Sequence, residues 1–168
     1  MAGARWLLKS EPEVYPFAKL VAEKHTVWDG VRNHQARNNL AAMAVGDLVL
    51  FYHSHDAEVV GIARVRKTAF PDPTADDPRW LAVELEAVEP LASPVTLEAI
   101  KADPQLRAMK LVTQSRLSVQ PVEPAQYEKI LRLAKSGGGA RSEKGPRAGG
   151  SSRTRAGAPR SRRPAARE

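Results

Sequence analysis

The stretch Gly46-Asp47-Leu48-Val49-Leu50-Phe51-Tyr52-His53-Ser54 decides the fold. After the Gly46-Asp47 turn, alternation puts Leu48, Leu50 and Tyr52 on one side and Val49, Phe51 and His53 on the other. Both sets are largely apolar, as expected of a central strand in a sheet covered on both faces. His55-Asp56-Ala57-Glu58 then reads as a turn and residues 59–66 as the returning partner of a hairpin, with Gly61 a bulge or a point of close approach.

Outward from this hairpin, residues 5–9 read as an opening strand stopped by Ser10-Glu11-Pro12, where proline holds Glu11 extended and ends ladder pairing. A short helix follows over residues 15–23, with Pro16 near its first turn and Phe17, Leu20 and Val21 as its buried stripe. Residues 70–78, interrupted by three prolines, form a loop that delivers Arg79 and Trp80 to a strand over 81–88. Residues 96–102 predict a helix, and residues 111–120 a last strand with a polar insert at Thr113-Gln114-Ser115-Arg116. The closing helix runs from Pro124 to about Ala134, with Tyr127, Ile130, Leu131 and Ala134 on one face. Five or six strands with short helices between and after them make an α+β fold, a strongly bent mixed sheet or open barrel.

The net charge of +7 points to nucleic acid until it is divided along the chain. Residues 1–134 hold 16 basic and 17 acidic side chains and are close to neutral, whereas residues 135–168 hold 10 and 2. The division is therefore a folded domain over 1–134 and a basic tail over 135–168. The tail is rich in Gly, Ser, Pro and Arg, and without large apolar residues it is expected to be disordered. Absence of cysteine excludes disulfides and thiol chemistry, and no stretch suits a signal or a membrane span, so a cytoplasmic protein without a membrane partner is expected. The oligomeric state is open.

A second stretch is chemically unusual. Val27-Trp28-Asp29-Gly30-Val31-Arg32-Asn33-His34-Gln35-Ala36-Arg37-Asn38-Asn39-Leu40 is too polar for a core helix and is rich in groups able to bind a planar ligand. Trp28 offers a stacking face beside Asp29. Asn33 is an N-cap for a helix from Gln35 to Met43, which leaves Arg32, Asn33 and Arg37 near a helix start that favours an anion or a carbonyl. Lys9, Ser10 and Glu11 at one strand end and His53 and Ser54 at another complete the candidate wall, and Trp80 is either a second wall or core. His53 and His55 share a strand face but lack a third ligand, so no metal or other cofactor is expected. No nucleophile-elbow pattern accompanies Ser10 or Ser54, and no catalytic residues are assigned.

Four ordered blocks stand out: Trp6-Leu7-Leu8-Lys9-Ser10-Glu11-Pro12, the stretch 27–40, the stretch 46–54, and Ser115-Arg116-Leu117-Ser118-Val119-Gln120-Pro121-Val122. Together, over roughly residues 4–133, they resemble the EVE domain family. The resemblance implies a PUA-like curved β-barrel with helices at its rim, and kinship with YTH domains, readers of N6-methyladenine in RNA. It implies a role in binding modified bases, with modified cytosine in DNA the usual proposal. By position Trp28 resembles a wall of an aromatic cage, and Lys9-Ser10 the lysine-serine pair beside the base in YTH relatives. Where those have asparagine next, this chain has Glu11, a carboxylate that accepts but cannot donate, which favours a donor such as the exocyclic amine of cytosine. The leading expectation is thus a binding module for a modified base in DNA or RNA, its basic tail adding non-specific affinity. The alternatives are an enzyme acting on nucleic acid or a nucleotide, and an RNA or protein adaptor working through the tail.

Overall fold

A computed structural model describes residues 4–137. All but the first three residues of the expected basic tail lie outside the described residues. The chain runs β1 (Arg5–Ser10), α1 (Phe17–Glu23), β2 (His25–Trp28), α2 (His34–Ala42), β3 (Leu48–His53), β4 (Glu58–Pro71), β5 (Leu81–Thr96), α3 (Leu97–Ala102), α4 (Lys110–Thr113), β6 (Val119–Val122) and α5 (Pro124–Ser136). Six strands form one mixed sheet in the order β2-β5-β4-β3-β1-β6, in which β1 and β3 are parallel and the other pairs antiparallel. β3 is central, and its two alternating sets enter different cores. Val49 and Phe51 join Trp6, Leu8, Phe17, Leu20 and Leu40 under α1 and α2, while Leu50 and Tyr52 join Leu7, Ile100, Leu106 and Ile130 under α3 to α5.

The sheet curls because its longest pair is irregular. β4 and β5 shift register at four places between Val59 and Phe70, and each extra residue bends and twists the ladder. The curl is enough for Trp28 of β2 and Val119 of β6, on the two opposite edge strands, to pack on one core. The sheet is nonetheless open, and α2 bridges its ends: Asn39 Nδ2 donates to Val119 O at 2.7 Å.

Gly61 is a point of close approach. A Cβ there would stand 2.4 Å from the Phe17 ring, so absence of a side chain lets α1 lie on the hairpin. Several expected boundaries change. β4 and β5 extend through Pro71 and Thr96, because prolines are tolerated in bulged and terminal ladder positions. β2 has only four residues, too few to show a period in the sequence. Lys110–Thr113 is a helical turn, burying Leu111 beneath α5, so the last strand shrinks to Val119–Val122.

Candidate functional site

A cavity of about 290 Å³ opens between the two ends of the curled sheet. One side is the end of β1, Lys9 and Ser10, with Glu11, Val14 and Tyr15 of the following turn and Ser118 ahead of β6. The other side is Trp28 at the end of β2 and the Asp29–Arg32 turn. Six of the eleven expected ligand residues, Lys9, Ser10, Glu11, Trp28, Asp29 and Arg32, therefore line one space.

The β1 side is built by backbone hydrogen bonds. Ser54 N donates to Ser10 O at 2.8 Å, and Val14 N and Tyr15 N both donate to Glu11 O at 2.9 and 2.8 Å. Buried Ser10 donates its hydroxyl proton to Tyr15 O at 2.5 Å, so what Oγ has left to offer a ligand is its lone pairs. Lys9 Nζ donates to Ser115 O and lies 5.9 Å from the centre of the Tyr52 ring. It fastens the 114–118 segment to β1, and burial pushes its ammonium below the usual lysine value. The Glu11 carboxylate is exposed and makes no hydrogen bond among the described residues.

The β2 side is built by one carboxylate. Asp72, whose side chain is fully buried, accepts from Gly30 N at 2.7 Å and from Arg32 Nη1 at 2.9 Å on Oδ2. Its other oxygen accepts from Thr74 N at 2.7 Å and Thr74 Oγ1 at 2.6 Å. Burial alone would raise this carboxyl, but the hydrogen bonds from Thr74, from Gly30 N–H and from Arg32 outweigh it and hold the group at about 2. Gly30 turns at φ +82°, which leaves its N–H free to meet Asp72. Trp28 stands against Tyr15 and Phe51 in edge-to-face contacts at 5.5 and 5.6 Å, which fix the plane of the indole.

The other five expected residues fall elsewhere. Asn33 caps α2, accepting from Ala36 N at 2.8 Å, and lines a neighbouring cleft. Arg37 donates to Asn38 Oδ1 and Arg79 O, away from the cavity. His53 accepts at Nε2 from Phe17 N at 3.0 Å, which requires a neutral ring and anchors the start of α1. Burial lowers its value, against the opposing pull of Asp56 and Glu13. Ser54 supports Ser10 through the backbone. Trp80 belongs to neither core nor cavity: it is half-buried, stacks on His34 at 4.9 Å and carries Arg32 over its ring at 5.8 Å. Sequence reasoning missed Asp72, Tyr15 and Ser118. The first had a local signal, because Asp-Pro-Thr is a pattern in which the acid binds the N–H two residues on.

The family model described as EVE domain matches residues 4–133. The chain belongs to the EVE domain family. A protein of Agrobacterium tumefaciens solved by X-ray crystallography is 44% identical with a TM-score of 0.76, over 79% of this chain and 93% of that one. Mouse thymocyte nuclear protein 1 is 36% identical, over 76% of this chain and 72% of its own length. The human THYN1 protein, crystallised in complex with 5-methylcytosine containing DNA, is 32% identical with a TM-score of 0.73, over 79% of this chain and 98% of that one. The fold also resembles, at 17% identity and a TM-score of 0.52 over 78% of this chain and 86% of that one, the YTH domain of the Zygosaccharomyces rouxii MRB1 protein. No helix among the described residues is long and apolar enough to cross a membrane.

Proposed function

We propose that this EVE domain binds nucleic acid by admitting one modified nucleobase to the cavity between β1 and β2, where it stacks on Trp28 and is read at its edge by Ser10, Glu11 and Asp29. The observation that carries the reading is the make-up of the cavity. An oriented indole on one side faces a Ser hydroxyl with only lone pairs to offer and an unpaired carboxylate on the other. An acceptor-lined edge suits a base that presents an exocyclic amine, as cytosine and adenine do. The relationship to a human protein crystallised with 5-methylcytosine DNA supports the same ligand class. Base–aromatic stacking would contribute about 1–3 kcal/mol.

Lys9 and Arg32 act in this reading as fasteners of the two walls, and His53 and Ser54 as supports of the turn that carries Glu11. Binding without catalysis fits the placement of the imidazoles, because His53 is committed to Phe17 N–H and His34 to Trp80, both outside the cavity. The basic segment after α5 would add sequence-independent attraction to phosphates, in the cytoplasm or, in a eukaryote, the nucleus. Tryptophan fluorescence titrations with otherwise identical oligonucleotides carrying 5-methylcytosine, 5-hydroxymethylcytosine, N6-methyladenine or no modification test the proposal. Tighter binding of at least one modified strand is expected, and equal affinity across the panel refutes it.

A further inference from the structure

The block Ser115–Val122 stands out in the sequence, yet the base cavity uses only Ser118 of it. Its first residues border a second open space of about 330 Å³, lined by Asn33 and Gln35 at the start of α2 and by Gln114, Ser115, Arg116 and Leu117. The two spaces adjoin. Arg32 lines the first and Asn33 the second, and Lys9, which lines the first, donates to Ser115 O at the rim of the second. Gln35 Nε2 donates to Gln114 Oε1 at 3.1 Å, tying the two banks of the cleft together.

The charges around the cavity single out one residue. Arg32 is neutralised by Asp72, Arg79 is paired with Asp77 at 2.8 Å, and Arg37 lies in the field of the same Asp77. Arg116 is exposed and has no hydrogen bond, ion pair or ring contact among the described residues. It therefore brings an uncompensated guanidinium to a cleft otherwise lined by neutral side chains, the amides of Asn33, Gln35 and Gln114, the Ser115 hydroxyl and apolar Leu117. The cleft also lies at the first turn of a nine-residue helix, where backbone N–H groups lack intrahelical acceptors. No carboxylate lines it. Donors in excess, one free guanidinium and an open shape suit a phosphodiester, which is singly charged and accepts from a planar fork.

We infer that the cleft between Asn33-Gln35 and Gln114–Leu117 is a phosphodiester subsite, in which Arg116 holds the backbone of the strand whose base enters the adjoining cavity. The inference rests on the base-binding reading, and its test is separable from that of the base. Arg116 carries no sequence or modification information, because a phosphate contact positions the strand while the cavity reads the base. Replacing it should weaken modified and unmodified strands alike.

The test is a double-perturbation cycle with the full chain. Wild type, Arg116→Ala and Arg116→Lys are titrated with a strand carrying the preferred base, and with the same strand in which the flanking linkages are neutral methylphosphonates. Arg116→Ala is expected to lose roughly tenfold in affinity for the charged strand, since charge-assisted hydrogen bonds are the stronger kind. It should lower the slope of log K against log salt by about 0.7 for a single strand or about 0.9 for a duplex, and keep the preference for the modified base. On the methylphosphonate strand the same substitution should change nothing, and Arg116→Lys should recover the salt slope but only part of the affinity. Equal losses on both strands, or an unchanged salt slope, would overturn the subsite. If the wild type shows no preference among bases, the base reading fails, while the Arg116–methylphosphonate coupling still reports on the cleft. An unchanged unfolding midpoint for Arg116→Ala keeps a folding defect from mimicking the result.

Discussion

The two walls of the cavity are held by different means. The β1 wall continues an interior strand next to the sheet edge, paired on both sides with β3 and β6, and its turn closes on backbone groups of Glu11 and Ser10. The β2 wall hangs on a four-residue edge strand, and beyond it Asp72, from a loop 42 residues along the chain from Gly30, gathers the Gly30 N–H and Arg32. Redundant backbone bonding makes the first wall tolerant of side-chain loss. Reliance on one buried carboxylate makes the second sensitive to it.

The largest expected effect follows from that contrast. Asp72→Ala leaves the Gly30 N–H and the Arg32 and Thr74 donors without their acceptor, and should cost about 3 kcal/mol in denaturant unfolding together with most base affinity. Ser10→Ala removes one donor to Tyr15 O and should cost only about 1 kcal/mol. Equal losses would break the distinction between the walls.

Acid should separate the walls more gently. The Asp72 carboxyl is depressed from 3.8 to about 2, so its contribution is fully present above about pH 4 and disappears as the pH falls toward 2. The amount at stake is about 2 kcal/mol, and Asp72→Asn should abolish that part of the pH dependence. Smaller again is the effect of His53, which belongs to the β1 side. Its imidazole is lowered below 6.5, so the stability it contributes is complete above pH 6.5 and lost as the pH falls through the lowered value. His53→Gln offers Phe17 N–H an acceptor that does not titrate. It should flatten the stability profile in that range at a cost of about 1 kcal/mol or less, read from unfolding midpoints at several pH values.

The same contrast explains what could be read from the sequence. β3 was legible because both of its alternating sets are apolar and both find cores, and the β1 wall was legible because a proline marks the strand end beside Ser10 and Glu11. Trp28 stands out in the sequence for its polar neighbours. Asp72 was hidden in a proline-rich loop, since burial of a single acid depends on tertiary contacts with Gly30 and Arg32 that leave no periodic trace. The histidines and Arg37 fell outside the cavity for a related reason. Position at a strand or helix end limits where a side chain can reach, but its hydrogen-bond partner decides where it goes: Phe17 N for His53, and Asn38 and Arg79 O for Arg37. The bent, open mixed sheet agrees with the strand count, but the bulges between β4 and β5 that curl it have no local pattern to specify them.

Stacking of a modified base on Trp28 is tested most directly by calorimetry on wild type and Trp28→Ala with paired oligonucleotides that differ only in one modified base. The wild type should prefer the modified strand, and Trp28→Ala should lose that preference while keeping the weaker, salt-dependent binding common to both strands. A wild type that binds the two strands equally, or a Trp28→Ala variant that is folded and retains the full preference, would contradict it.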